Sequence, residues 1–215
     1  MKLLRAALLA LTGPALAQDL PPLQRGDLVF QTSGSSQSTA ILQATGSPYT
    51  HVGILDFDAS GAPVVLEAIA TTRATPLEDW IDRGQGRDLA IYRLEGLTDP
   101  DARRVTQAAR RQFGKPYDPW FHASDTALYC SELVRIAFQD GLGLTLGRTD
   151  RLGDLNLGSD AALALIQDRW PTHPACDKGQ AADAQDCLTR ILEEPIVTPR
   201  AVAEDARLTL VHSTY

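Results

Sequence analysis

An α+β fold, with an antiparallel sheet packed against helices, is the class this sequence predicts, and three observations carry it. Two β-rich runs, Thr50 to Phe57 and Pro63 to Ala70, flank the turn-forming stretch Asp58-Ala59-Ser60-Gly61-Ala62, which is the pattern of a β-hairpin. Two segments, Asp99 to Phe113 and Asp125 to Asp140, carry the apolar spacing of amphipathic helices. Strands and helices do not alternate strictly, so a doubly wound parallel sheet is not indicated. The 215 residues, 44% of them apolar and 22% charged, suffice for a packed core and exclude disordered, collagen-like and coiled-coil classes.

The first seventeen residues stand apart from the fold. Lys2 and Arg5 precede the apolar run Ala6 to Leu11, and Ala15-Leu16-Ala17 supplies the small-x-small pattern of signal-peptidase cleavage. Residues 1–17 therefore read as a removed secretory leader, with the mature chain starting near Gln18. No Cys follows the apolar run, which argues against a lipid anchor, and the run is too short for a transmembrane helix. The expected location is secreted or periplasmic. Residues 18–215 read as one domain with an elaborated C-terminal third, because no internal repeat or low-complexity linker divides them.

Within that domain, Asp27 to Gln31 reads as a short strand, followed by a Gly/Ser/Thr/Gln loop and a short helix over Ser38 to Ala44. After the hairpin, Thr75 to Asp82 reads as a helix with Pro76 in its first turn, and Asp88 to Leu94 as a strand. The helix over Asp99 to Phe113 ends at Gly114. In the next helix, Cys130, Leu133, Val134, Ala137 and Phe138 form one buried stripe, with Gly141 as its stop. Short helices at Asp160 to Asp168 and Ala184 to Glu193, a turn or two of helix from Pro199, and a β-like Leu208 to His212 complete the chain.

Charge excludes one class of partner. The formal charge of −7 becomes −9 once Lys2 and Arg5 are removed, so a nucleic acid or an anionic lipid surface would be repelled. Arg103, Arg104, Arg110 and Arg111 are the one dense basic group, and their helical context makes them a solvated face. Leu28 to Leu55 contains no Asp, Glu, Lys or Arg, but its Ser, Thr, Gln and Gly content excludes a membrane span.

The three cysteines separate by spacing. Cys176 and Cys187 lie eleven apart in a Pro/Gly/Asp-containing segment and read as a disulfide, which leaves Cys130 as a free thiol. On pattern alone Cys130 suits either an inert core cysteine or a nucleophile activated by the positive end of its helix. Strand alternation puts His51, Gly53 and Leu55 on one face and Val52 and Ile54 on the other. With the hairpin centred at Ala59, His51 and Glu67 become direct cross-strand neighbours, so that a carboxylate can orient the imidazole. His122, His173 and His212 have no spaced partners. His173, Cys176 and Cys187 together make three ligands where a structural zinc site takes four, and no metal is expected. Serine-hydrolase elbows, phosphate loops and zinc-protease motifs are absent from the sequence.

Gly114-Lys-Pro-Tyr-Asp118, followed by Tyr129-Cys-Ser-Glu-Leu-Val134, resembles the signature of NlpC-type papain-like cysteine hydrolases. In the usual members the Cys helix precedes the His strand. Here Thr50-His-Val-Gly-Ile54 and Leu66-Glu-Ala68 come first, an order similar to the circularly permuted YiiX/YaeF-like papain-like amidases. Gly26-Asp-Leu-Val-Phe30 and Val197-Thr-Pro199 also resemble that group. The resemblance implies a permuted papain-like fold with Cys130 as nucleophile, His51 as general base and acid, Glu67 as the group orienting the ring, and Tyr117 as an oxyanion or substrate contact. Tyr129 and Glu132 depart from the Asp and Gly of the usual branch.

The expected function is thus an exported cysteine hydrolase that cleaves an amide, such as a cell-wall peptide, through a thioester acyl-enzyme and without a cofactor. The alternatives are a lipid-directed thiol esterase or acyltransferase of the same superfamily, and a catalytically silent binding module.

Overall fold

Residues 20–122, 124–176 and 181–215 are described by the structure, a computed structural model. The leader expected over 1–17 lies outside the described residues. The elements run β1 (Leu28–Gln31), α1 (Ser38–Thr45), β2 (His51–Phe57), β3 (Pro63–Ala68), β4 (Thr72–Pro76), α2 (Leu77–Arg83), β5 (Ala90–Leu94), α3 (Asp99–Arg110) and α4 (Cys130–Leu142). They continue as β6 (Asp150–Arg151), α5 (Asp160–Arg169), α6 (Ala184–Glu193), β7 (Pro195–Ile196), α7 (Pro199–Ala203) and β8 (Leu208–Ser213). A six-stranded antiparallel sheet has the order β4-β3-β2-β1-β5-β8, and β6 pairs with β7 separately.

Both faces of the sheet are covered, which is why β1 is buried along its whole length. On one face Phe30, Val52, Ile54 and Leu66 meet Leu133, Val134, Ala137 and Phe138 of α4, with Val105 and Ala109 of α3 behind them. On the other face Val29, Leu55 and Val65 pack against Leu77, Trp80 and Ile81 of α2. The predicted α+β class, with an antiparallel sheet against the Cys-bearing helix, describes this architecture.

Three local expectations are corrected. The stretch from Thr75 does not start a helix: Thr72–Pro76 is an edge strand, with Thr75 opposite Val65, and the helix begins at Leu77. Proline is tolerated there because an edge strand has one side without ladder partners. The hairpin is centred at Ser60, two places from the expected register, because Asp58 Oδ1 accepts from the Ser60 and Ala62 amides and Gly61 takes a φ of 85°. A shift of two keeps every side chain on its face, whereas a shift of one would reverse them all.

The third correction concerns Gly141, which lies inside α4, whose end is Gly143 with a φ of 70°. A Cβ at Gly141 would stand 2.9 Å from both Cα and N of Val105, so this glycine sets the close approach of α3 to α4. Gly141→Ala is expected to cost about 1–3 kcal/mol through that overlap. Helix propensity alone favours Ala by about 1 kcal/mol. A lowered denaturation midpoint demonstrates that backbone contact outweighs propensity here.

Candidate active site

The sequence order Tyr129-Cys130-Ser131 becomes a site because the backbone turns from extended at Tyr129, with a φ of −101° and a ψ of 169°, into helix at Cys130. Cys130 is therefore the first helical residue, one turn nearer the dipole's positive end than the sequence pattern suggests. Its side chain is buried and carries a free thiol. His51, the first residue of β2, places its ring at the end of that strand, close enough to the Cys130 thiol for each to shift the other's ionisation.

On its other side the ring meets Glu67, with His51 Nε2 2.6 Å from Glu67 Oε2. The two residues share a sheet face, as alternation predicts, but not as a directly opposed pair. The observed register sets Glu67 diagonal to His51 and level with Gly53. A Cβ on Gly53 would lie 3.5 Å from Glu67 Cβ and only 2.3 Å from Val65 Cγ1, so glycine clears the path along which Glu67 leans. Trp80 of α2 lies over the imidazole at 6.2 Å between centroids, with the planes 29° apart.

Glu67 is fully buried, and three donors converge on it. Arg83 Nη2 donates to Oε2 at 2.6 Å, and the Thr75 hydroxyl donates to Oε1 at 2.6 Å, in addition to the His51 contact. Burial alone would raise its pKa, yet hydrogen bonds and charge from His51, Arg83 and Thr75 outweigh burial and hold it at about 2. For His51, burial favours the neutral ring, but Cys130 and Glu67 prevail and raise it to about 9. Burial likewise opposes the Cys130 thiolate, and the His51 contacts reverse that, so the thiol sits below its ordinary value. All three directions favour a thiolate–imidazolium–carboxylate line at neutral pH.

The linkage follows from the signs. Raised in the folded state, His51 contributes stability that is complete below its ordinary value near 6.5 and is lost as pH rises through about 9. Depressed, Glu67 contributes stability present above its ordinary 4.5 and lost as pH falls towards 2.

Tyr117 bridges to Leu128, two residues before Cys130, and its hydroxyl accepts from Gln37 Nε2 at 2.7 Å. Desolvation, with the Cys130 charge nearby, raises its pKa well above the ordinary phenol range, so it stays neutral. Its own proton is left to donate. The structure thus gathers Cys130, His51, Glu67 and Tyr117 into one place. Thr75, Arg83 and Gln37 belong to the same network and had no sequence signal. Cys176 and Cys187, expected as a pair, are disulfide-bonded far from it in sequence, with Cα atoms 4.9 Å apart.

Residues 22–212 match the family described as permuted papain-like amidase enzyme, YaeF/YiiX, C92 family. The chain belongs to this family. It is 35% identical over 189 residues to the uncharacterized protein YiiX of Escherichia coli K12, covering 87% of this chain and 85% of that one. A crystal structure described as the metalloprotein YiiX from Escherichia coli O157:H7 superposes with a TM-score of 0.77 at 35% identity, covering 89% of this chain and 98% of that one. The fold is therefore the permuted papain-like one, and the family is one of amidases.

Proposed function

We propose that this protein is an exported thiol hydrolase that cleaves an amide through Cys130, His51 and Glu67. The observation that carries the reading is the buried line from the Glu67 carboxylate through the His51 ring to the Cys130 thiol at the start of α4. The Cys130 thiolate attacks the carbonyl carbon, and the oxyanion is held by backbone N–H groups of the first turn of α4, which have no partner within the helix. The Tyr117 hydroxyl, neutral and oriented by Gln37, serves as a further donor. The tetrahedral adduct collapses to a thioester as the leaving amine takes the His51 proton. His51 then draws a proton from water, which attacks the thioester and releases acid and thiolate.

Export is supported by the leader pattern over 1–17 and by the Cys176–Cys187 disulfide, which suits an oxidising compartment. Among the described residues, no helix is long and apolar enough to cross a membrane. The solved relative is described as a metalloprotein. Among the described residues here, no group of three or more His, Cys, Asp or Glu side chains is placed to hold an ion. His122 and His173 approach each other at 5.8 Å between centroids, but His173 Nδ1 already accepts from the Ala175 amide. His122 Nδ1 lies 3.1 Å from Glu194 Oε1, and the described residues do not gather the donor set of a metal centre; the steps above run through side chains and backbone.

The pH profile of Cys130 alkylation by iodoacetamide tests the proposal, because its midpoint reads thiol ionisation independently of access. The rate is expected to hold from mildly alkaline pH down through neutrality. A midpoint at the ordinary thiol value, about 8.5, would remove the activated thiol.

A further inference from the structure

Val197 is buried between two elements: Ile196 ends β7, which pairs with β6, and Thr198 caps α7 by accepting from the Ala201 amide at 3.0 Å. The N–H and carbonyl of Val197 belong to neither ladder nor helix. Buried backbone groups need partners.

Side chains that flank the nucleophile supply them. Val197 N–H donates to the Tyr129 hydroxyl at 3.2 Å, and the Ser131 hydroxyl donates to the Val197 carbonyl at 2.8 Å. The residue before Cys130 and the residue after it thus grip one and the same residue, 68 and 66 positions further along the chain. Tyr129 and Ser131 are both buried, and the Tyr129 ring stands edge-on against Phe121 at 5.4 Å between centroids. A hydroxyl has one proton, so the one Ser131 gives to Val197 is not available to the thiolate.

The start of α4 needs such an outside anchor. The amide of Leu133 bonds to the Tyr129 carbonyl at 3.1 Å, but those of Cys130, Ser131 and Glu132 precede the helix's own bonding pattern. They are the N–H groups assigned above to the oxyanion, and the nucleophile sits among them. Their position is set by what the turn is fastened to.

We infer that Tyr129 and Ser131 are positioning residues that fasten the first turn of α4 to Val197, and so set where Cys130 Sγ and the oxyanion donors stand against the acyl carbon. The inference rests on the reading of Cys130 as nucleophile. A reacting group misplaced by about 1 Å costs up to about a hundredfold in rate, even when the altered residue is remote from the chemistry. Because both hydroxyls hold one residue, either alone keeps part of the grip.

The test compares two reactions of Cys130 in the full chain. Acylation by p-nitrophenyl acetate, read as the burst of p-nitrophenol, forms an oxyanion; alkylation by iodoacetamide forms none. Acylation is expected to slow about fivefold in Tyr129→Phe and in Ser131→Ala, and about a hundredfold in the double variant, more than the product of the two. The rate and pH midpoint of alkylation are expected to stay. Ser131→Thr, which keeps a hydroxyl, is expected to acylate like the unaltered protein, and with the single variants it carries the test if the double variant does not fold. Unchanged acylation in both single variants, with Cys130→Ala inert, would make the contacts structural only and overturn the inference while the thiol mechanism stands. Losses that merely multiply, or a raised alkylation midpoint in Ser131→Ala, would overturn the shared grip. If Cys130→Ala releases p-nitrophenol undiminished, the thiol mechanism is overturned and the inference falls with it.

Discussion

Cys130→Ser is expected to lower kcat/KM by about ten-thousandfold or more while leaving the fold intact. The exchange of sulfur for oxygen changes little volume in the core between α4 and the sheet. It changes ionisation completely, because an environment that lowers a thiol below its ordinary value still leaves an aliphatic hydroxyl protonated. His51→Ala is expected to fall to the same floor, and the double variant no lower, since members of one proton-transfer unit are not additive. Unaltered circular dichroism and thermal midpoint in Cys130→Ser, together with lost hydrolysis, separate chemistry from folding. Retained activity in that variant would end the thiol mechanism.

Period-two alternation was enough to place His51 and Glu67 on one sheet face, and the helical stripe was enough to put Cys130 on the buried side of its helix. What alternation could not supply is register. Register depends on how Asp58 folds the turn back on itself through the Ser60 and Ala62 amides, which the composition of the loop does not specify. Gly141 was misjudged for a related reason: a glycine that stops a helix and one that admits a neighbouring helix look alike until Val105 is seen behind it. Thr75 and Arg83 stayed hidden because their roles come from β4 and the end of α2 closing over Glu67. Pro76 masked the strand that carries Thr75.

Glu67→Gln is expected to lower kcat roughly a hundredfold with little change in KM, a smaller loss than for Cys130 or His51. Glu67 is a positioning residue: its carboxylate holds the ring through His51 Nε2 at 2.6 Å. A glutamine keeps the shape but has one carbonyl oxygen for the three donors of His51, Thr75 and Arg83, and it carries no charge to hold the imidazolium. Removing that charge lowers the His51 pKa from about 9, so the alkaline limb of the pH–rate profile is expected to move to lower pH. Glu67→Ala adds a stability cost, because it leaves a buried ring and a guanidinium without their anion, and its thermal midpoint is expected to fall further than that of Glu67→Gln. A structural role alone would lower the thermal midpoint without moving the alkaline limb. Unchanged kcat and an unmoved limb in both variants would reduce the site to a Cys130–His51 dyad.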